Sequence, residues 1–176
     1  MCSSDLLVGA YERVDPSCEE MARSVLPPAE PQPGHPLLSF IACAVVLRRA
    51  AVLEVGGFSE RFAVGGEEEL LGWDLASAGW LMSYVPDVVA HHHPPPNDGR
   101  PERRQVTLRN ALWVTWLRRP ARTAAARTLR MLQRSPRDRY TARAVAGALG
   151  GLPWVLRERR VSPPHVEASR RLLEAS

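Results

Sequence analysis

Lysine is absent from the 176 residues: all 23 basic side chains are Arg. That bias follows G+C-rich coding as readily as a preference for fork-shaped donors, so it carries little functional weight. No apolar run approaches the roughly 18 residues that a membrane-spanning helix needs. Met1 to Ala10 has neither a basic start nor the apolar core of a signal peptide. A spanning or secreted protein is disfavoured, and the expected location is the cytoplasm, with a peripheral place at the inner face of the membrane as the variant. The three cysteines, Cys2, Cys18 and Cys43, are odd in number and lack ligand-like or redox spacing, which suits reduced thiols in a reducing compartment. Aromatics make up only 6%, and five of them are Trp, so the large apolar side chains sit at few places. What is present, 45% hydrophobic and 24% charged, allows one globular core of ordinary size and excludes a disordered tail or a collagen-like fibre.

The net charge of +4 hides an asymmetry. Residues 1–96 carry 5 Arg against 13 acids, or −8, while residues 97–176 carry 18 Arg against 6 acids, or +12. The change falls at the second of two proline patches, Pro27 to Pro36 and Pro94 to Pro101, and predicts two domains, 1–96 and 97–176. A half so basic suits phosphate, an anionic membrane surface or the acidic half of its own chain. No zinc knuckle or other nucleic-acid motif accompanies the charge, so nucleic acid is not an expected partner.

Local pattern divides the chain further. Met1 to Ala10 reads as a short strand. Asp15 to Ser24 reads as one or two helical turns, with Asp15 as N-cap and Pro16 in the first position. Leu37 to Leu47 is a continuous apolar run with β-branched residues, the pattern of a strand buried on both faces. Arg49 to Val55 predicts a short helix closed by Gly56 and Gly57 through a left-handed cap. Glu67 to Ala78 places Leu70, Leu71, Leu75 and Ala78 at helical steps, with Gly79 as the stop. Leu81 to Val85 and Val88 to His92 read as strand pieces interrupted by Pro86. Beyond Pro101, helices are expected over 102–117, 121–133, 139–160 (bent at Gly150, Gly151 and Pro153) and 164–174.

Three constellations have chemical potential. Glu67, Glu68 and Glu69 follow Gly65 and Gly66 at a loop-to-helix junction. Crowded carboxylates need a metal, a cation or protonation to offset their repulsion, unless they simply complement the helix N-terminus and face water. His91, His92 and His93 close a predicted strand. Neutral imidazoles there suit a divalent metal, or form a polar strand end. Trp113 and Trp116 lie beside Arg118 and Arg119 on an amphipathic helix that either packs on the domain or lies at a membrane interface. The membrane reading gains if Arg118, Arg119, Arg122, Arg127 and Arg130 form one solvent-facing stripe while the Glu67 to Glu69 site is occluded. Gly147 and Gly151 form a GxxxG in a segment too short to span a bilayer.

Read in order, LLSFIACAVVLRRAAVLEVGGFSERF, GGEEELLGWDLASAGW and LMSYVPDVVAHHH resemble the second half of the catalytic domain of family 2 glycosyltransferases. These enzymes have the GT-A fold and move a sugar from a nucleotide-diphosphate sugar to an acceptor hydroxyl. The resemblance covers about Leu37 to Pro96 and extends more loosely to about Pro120. It rests on the Arg48-Arg49 pair after an apolar run, the Gly56-Gly57-Phe58 turn, an acidic pair 11 to 12 residues before Gly79-Trp80, and a strand ending in histidine. It implies an α/β fold: a partial GT-A-like, Rossmann-like mixed sheet with helices, followed by an Arg-rich all-helical C-terminal extension.

The resemblance places the catalytic acids on Glu67 and Glu68, with Glu68 as general base. A positioned carboxylate there removes the proton of a weakly nucleophilic hydroxyl as its oxygen attacks the anomeric carbon. Gly57, Phe58 and Trp73 fall at acceptor-side or scaffold positions. His92, with His91 and His93 as competitors, falls where related enzymes place a metal ligand, and the implied ion is Mg or Mn, which stabilises the diphosphate leaving group. The partners implied are a nucleotide-sugar donor and a hydroxyl acceptor on a glycan, lipid or small molecule. The family's donor-binding half and its Asp-x-Asp motif have no counterpart: no Asp-x-Asp occurs, and 36 residues precede the apolar run. The expectation is therefore a truncated transferase, the acceptor-and-base half, inactive or nearly so alone. The alternative is a non-catalytic membrane-surface or protein-binding module built on the Arg-rich helices.

Overall fold

The computed structural model describes residues 6–11, 24–28, 30–90, 101–134 and 138–175. The expected helix at Asp15 falls in residues 12–23, outside the described residues. Two compact units emerge. The first draws on Met1–Ser59, Leu71–Pro94 and Pro163–Ser176, and the second on Glu60–Leu70 and Pro95–Ser162.

The first unit holds a four-stranded sheet of β1 (Leu6–Tyr11), β2 (His35–Leu37), β3 (Val45–Leu47) and β4 (Met82–Ala90), in the order β2-β4-β1-β3. β1 and β4 are parallel, while β3 pairs antiparallel with β1 and β2 antiparallel with β4. The mixed sheet and the predominance of helix are compatible with the α/β class.

The apolar run Leu37 to Leu47 does not make one buried strand. It leaves β2 at Leu37, passes through a 3-10 turn at Ala42–Ala44 and re-enters the sheet as β3. The reason is topological: β2 lies on one edge and β3 on the other, and no continuous extended segment pairs at both. Phe40 and Ala44 are buried in the crossing, whereas Val46 on edge strand β3 is 60% exposed.

β4 runs through Pro86, but its register against β1 shifts between Gly9↔Val85 and Ala10↔Val89. β2 pairs with β4 no further than Tyr84. Pro86, with no N–H to donate, thus sits where the ladder is already relaxed on both sides.

Helix α1 (Arg49–Val55) ends in Gly56 at φ 90°, the left-handed cap expected for it. Helix α2 (Glu67–Ser77) gives its first turn to the second unit and its remainder to the first. Leu71 and Leu75 of α2 and Ala51 of α1 meet Leu37, Phe40, Met82 and Tyr84 in one core. Met82 and Tyr84 are two apart and share a face of β4, while Ser83 turns away and accepts from Gln32 Nε2 at 2.9 Å.

The second unit is helical: α3 (Pro101–Arg118), α4 (Ala121–Arg134), α5 (Arg139–Gly150) and α6 (Leu152–Glu158). The last helix, α7 (Pro164–Ala175), belongs to the first unit. The expected bend in 139–160 is a break at Gly151, after which Pro153 occupies the first turn of α6, where its missing N–H costs nothing.

Trp113 of α3 is buried, and its ring lies edge to face with Trp154 (5.0 Å between centroids) and Phe62 (5.9 Å). Its indole N–H donates to the Ala148 carbonyl at 3.0 Å. A Cβ on Gly151 would stand 2.6 Å from Trp113 Nε1 and 2.7 Å from Trp154 Nε1, so glycine there permits the two indoles to close over the helix break. The GxxxG therefore serves packing within this unit. Among the described residues, no helix is long and apolar enough to cross a membrane.

Candidate functional site

The Glu-rich turn is assembled in the second unit by residues far apart in sequence. Gly65 and Gly66 both adopt left-handed backbone, φ 80° and 93°, a pair of conformations costly to residues with a Cβ. Asn110 of α3, with no exposed surface, lies against them. Its side-chain amide donates to the Val64 carbonyl at 3.0 Å and the Gly65 carbonyl at 2.7 Å. Its Oδ1 accepts two bonds from Arg109, from Nε at 3.1 Å and a terminal nitrogen at 3.0 Å. The Arg109 guanidinium in turn lies 4.2 Å from the Trp113 ring centroid, and its burial lowers its pKa from the ordinary arginine value. The full amide complement of Asn110 is thus used, as a buried polar group requires.

From that clamp α2 begins. The first turn is closed by the Leu70 amide donating to the Gly66 carbonyl at 2.9 Å, and Glu67, Glu68 and Glu69 are all half-buried within it. Glu67 Oε2 is shielded from solvent and has no hydrogen-bond partner among the described residues. The helix N-terminus favours negative charge at these positions. A carboxylate held on a turn whose backbone is fixed from outside suits proton abstraction, which needs a base at constant position.

The remaining expected site residues lie in the first unit or outside the described residues. Gly57 (φ 74°) and Phe58 follow the cap of α1. Phe58 is 43% exposed and meets Phe40 edge to face at 6.3 Å, so an aromatic face is available there. Trp73 is 1% exposed, and the Arg170 guanidinium of α7 covers its ring at 4.0 Å. In this arrangement the ring is packed within the first unit. His91, His92 and His93 are outside the described residues.

The five arginines do not form one solvent stripe. Arg118 and Arg119 are buried, Arg127 is half-buried, and Arg122 and Arg130 are exposed. Arg118 donates to the Glu158 carbonyl, and the Arg119 carbonyl accepts from Arg159 at 2.7 Å. These two arginines, like Trp113, belong to the packing of the unit.

Sequence reasoning missed Arg109 and Asn110. The available signal was a lone Asn just before the apolar stretch Ala111 to Trp113 of a helix, a group that must find partners if buried.

No protein-family model matches the chain. Over 56 residues it is 43% identical to the N-acetylglucosaminyl-diphospho-decaprenol L-rhamnosyltransferase of Mycobacterium tuberculosis, in strains CDC 1551 / Oshkosh and ATCC 25618 / H37Rv alike. The matched stretch is 32% of this chain and 18% of the relative, so the chain spans less than a fifth of the length of the curated relatives it matches. The similarity supports a relationship to glycosyltransferases.

Proposed function

We propose that this chain is the acceptor-and-base half of a family 2-like, GT-A-type glycosyltransferase, with Glu68 as the general base and Glu67 as its neighbour on the same turn. The observation that supports this most directly is the Asn110 clamp, which fixes Val64 and Gly65, three and two residues before Glu67, from a different helix. The acidic turn is therefore held in place and does not merely decorate a helix end.

In the proposed reaction a carboxylate oxygen of Glu68 takes the proton of an acceptor hydroxyl while the hydroxyl oxygen bonds to the anomeric carbon. The bond from that carbon to the diphosphate breaks at the same time, and the nucleoside diphosphate leaves with the electron pair, inverting the configuration. The donor is a nucleotide-diphosphate sugar. By likeness to the mycobacterial relative, the acceptor we favour is a lipid-linked saccharide.

Mg or Mn, with His92 or His91 as ligand, enters by resemblance alone. Among the described residues no three metal-ligating side chains meet. The donor-binding carboxylates are expected on another segment or chain, so the 176 residues alone should turn over little or no donor.

The test uses a full-length homologous transferase containing this stretch. The counterpart of Glu68→Gln should lower kcat by roughly 100-fold with donor affinity little changed, as loss of a general base does. The counterparts of Glu67→Gln and Glu69→Gln should cost far less. Undiminished turnover in the first variant excludes Glu68 as base.

A further inference from the structure

Helix α4 is amphipathic, and packing uses only part of its apolar face. Ala124 is buried. Thr128 ties the helix to α3 by accepting from the Trp116 indole N–H at 2.9 Å and donating to the Ala124 carbonyl at 2.8 Å. Ala121, Ala125, Leu129 and Leu132, spaced by four, four and three residues, form a second stripe next to the first. All four are exposed, Leu129 by 56% and Leu132 by 42%.

The polar side of α4 carries Arg122, Arg127 and Arg130, and the helix holds no acid. Arg122 and Arg130 are exposed. On a helix of 100° per residue, Arg122 borders the exposed apolar stripe, while Arg127 and Arg130 occupy the arc behind it.

We infer that this face of α4 is an in-plane anchor for an anionic lipid bilayer. An apolar ridge needs a yielding apolar medium, and the exposed Arg122 and Arg130 suit negative groups within reach of their long side chains. A bilayer surface supplies both, acyl chains below and lipid phosphates around, whereas an acidic protein would have to present a matching concave groove. With 14 residues, α4 lies in the interface and does not cross it. The inference stands whether or not the chain transfers a sugar.

The full chain is mixed with vesicles of phosphatidylcholine alone, or with about a third phosphatidylglycerol, and sedimented. Binding is expected to the phosphatidylglycerol vesicles, and to fall as salt shortens the screening length from about 10 Å at 0.1 M to about 3 Å at 1 M. Leu129→Gln with Leu132→Gln, both at exposed sites, should weaken partition by roughly tenfold or more. Arg122→Gln with Arg130→Gln should weaken it by roughly 25-fold, at about fivefold per arginine. Circular dichroism of both double variants verifies that the helices persist. Absence of vesicle binding overturns the inference, and so does equal binding to phosphatidylcholine alone. A folded leucine variant that sediments like wild type overturns it too, because attraction would then owe nothing to the ridge.

Discussion

Replacing Asn110 probes whether the acidic turn is held from outside. Asn110→Ala removes two donated bonds, to the Val64 and Gly65 carbonyls, and the acceptor of two bonds from Arg109. Each neutral bond contributes about 1 kcal/mol net, and leaving a buried partner unpaired costs about 1–3 kcal/mol. Val64 is exposed and Gly65 half-buried, so water recovers part of that loss, and about 2–4 kcal/mol is expected to remain. If the loss is local, amides at the start of α2 should exchange with solvent roughly 30- to 700-fold faster. The Leu70 amide, which closes the first turn on Gly66, is the reporter, read by hydrogen exchange with mass spectrometry. Asn110→Asp separates the roles: Asp still accepts from Arg109 but no longer donates to the carbonyls. It should loosen the turn at least as much as Ala. Wild-type exchange rates at 67–70 in both variants would refute the clamp.

Gly66→Ala should destabilise the second unit by about 2–3 kcal/mol, combining a left-handed backbone at φ 93° with a new Cβ at 3.3 Å from Asn110 Cβ; a denaturant midpoint equal to wild type would contradict it. Trp73→Phe should cost no more than about 1 kcal/mol, because the lost indole N–H is buried without a hydrogen-bond partner, whereas Trp73→Ala should cost about 3–5 kcal/mol. Equal midpoints for the two variants would disprove that assignment. Asp138 caps α5, and its carboxyl pKa is lowered, first by the Tyr140 amide and further by the Thr141 side chain and Arg104. A lowered folded-state value stabilises above the unfolded carboxylate pKa, and that contribution is lost as pH falls through the folded value. Wild type should therefore lose more stability on acidification from about pH 6 to about pH 2 than Asp138→Asn, which keeps the acceptor and removes the titration; parallel melting profiles would count against it.

The elements legible in the sequence are those whose cause is local. The Glu67 helix and its Gly79 stop, the α1 cap at Gly56 and the four helical segments after Pro101 follow from a 3.6-residue period punctuated by Gly and Pro. Each forms within two residues of its expected bounds, apart from the break at Gly151. Leu37 to Leu47 was misleading for the complementary reason. Apolar density does not report which neighbour a segment pairs with, and this one links the two edges of the sheet, with Phe40 and Ala44 buried and Val46 exposed. Arg118 and Arg119 show the same limit for charge. A count of arginines sums those buried inside a helical unit, as Arg118 and Arg119 are, with those that face water, and only the fold separates them.

The acidic turn lies between these cases. Its carboxylates and glycines are visible in the sequence, but what fixes them comes from Asn110, 45 and 46 residues further along. The backbone of that turn is therefore held by α3. With Glu68 as the proposed base, substitutions on the inner face of α3 should change turnover in a full-length homologue without touching a carboxylate. Their mark would be a lowered kcat with an unshifted pH profile, because the base is misplaced and not retuned. A variant at the counterpart of Asn110 that shifts the pH profile instead would show that the amide acts on the ionisation of the acids, and that the clamp is electrostatic before it is geometric.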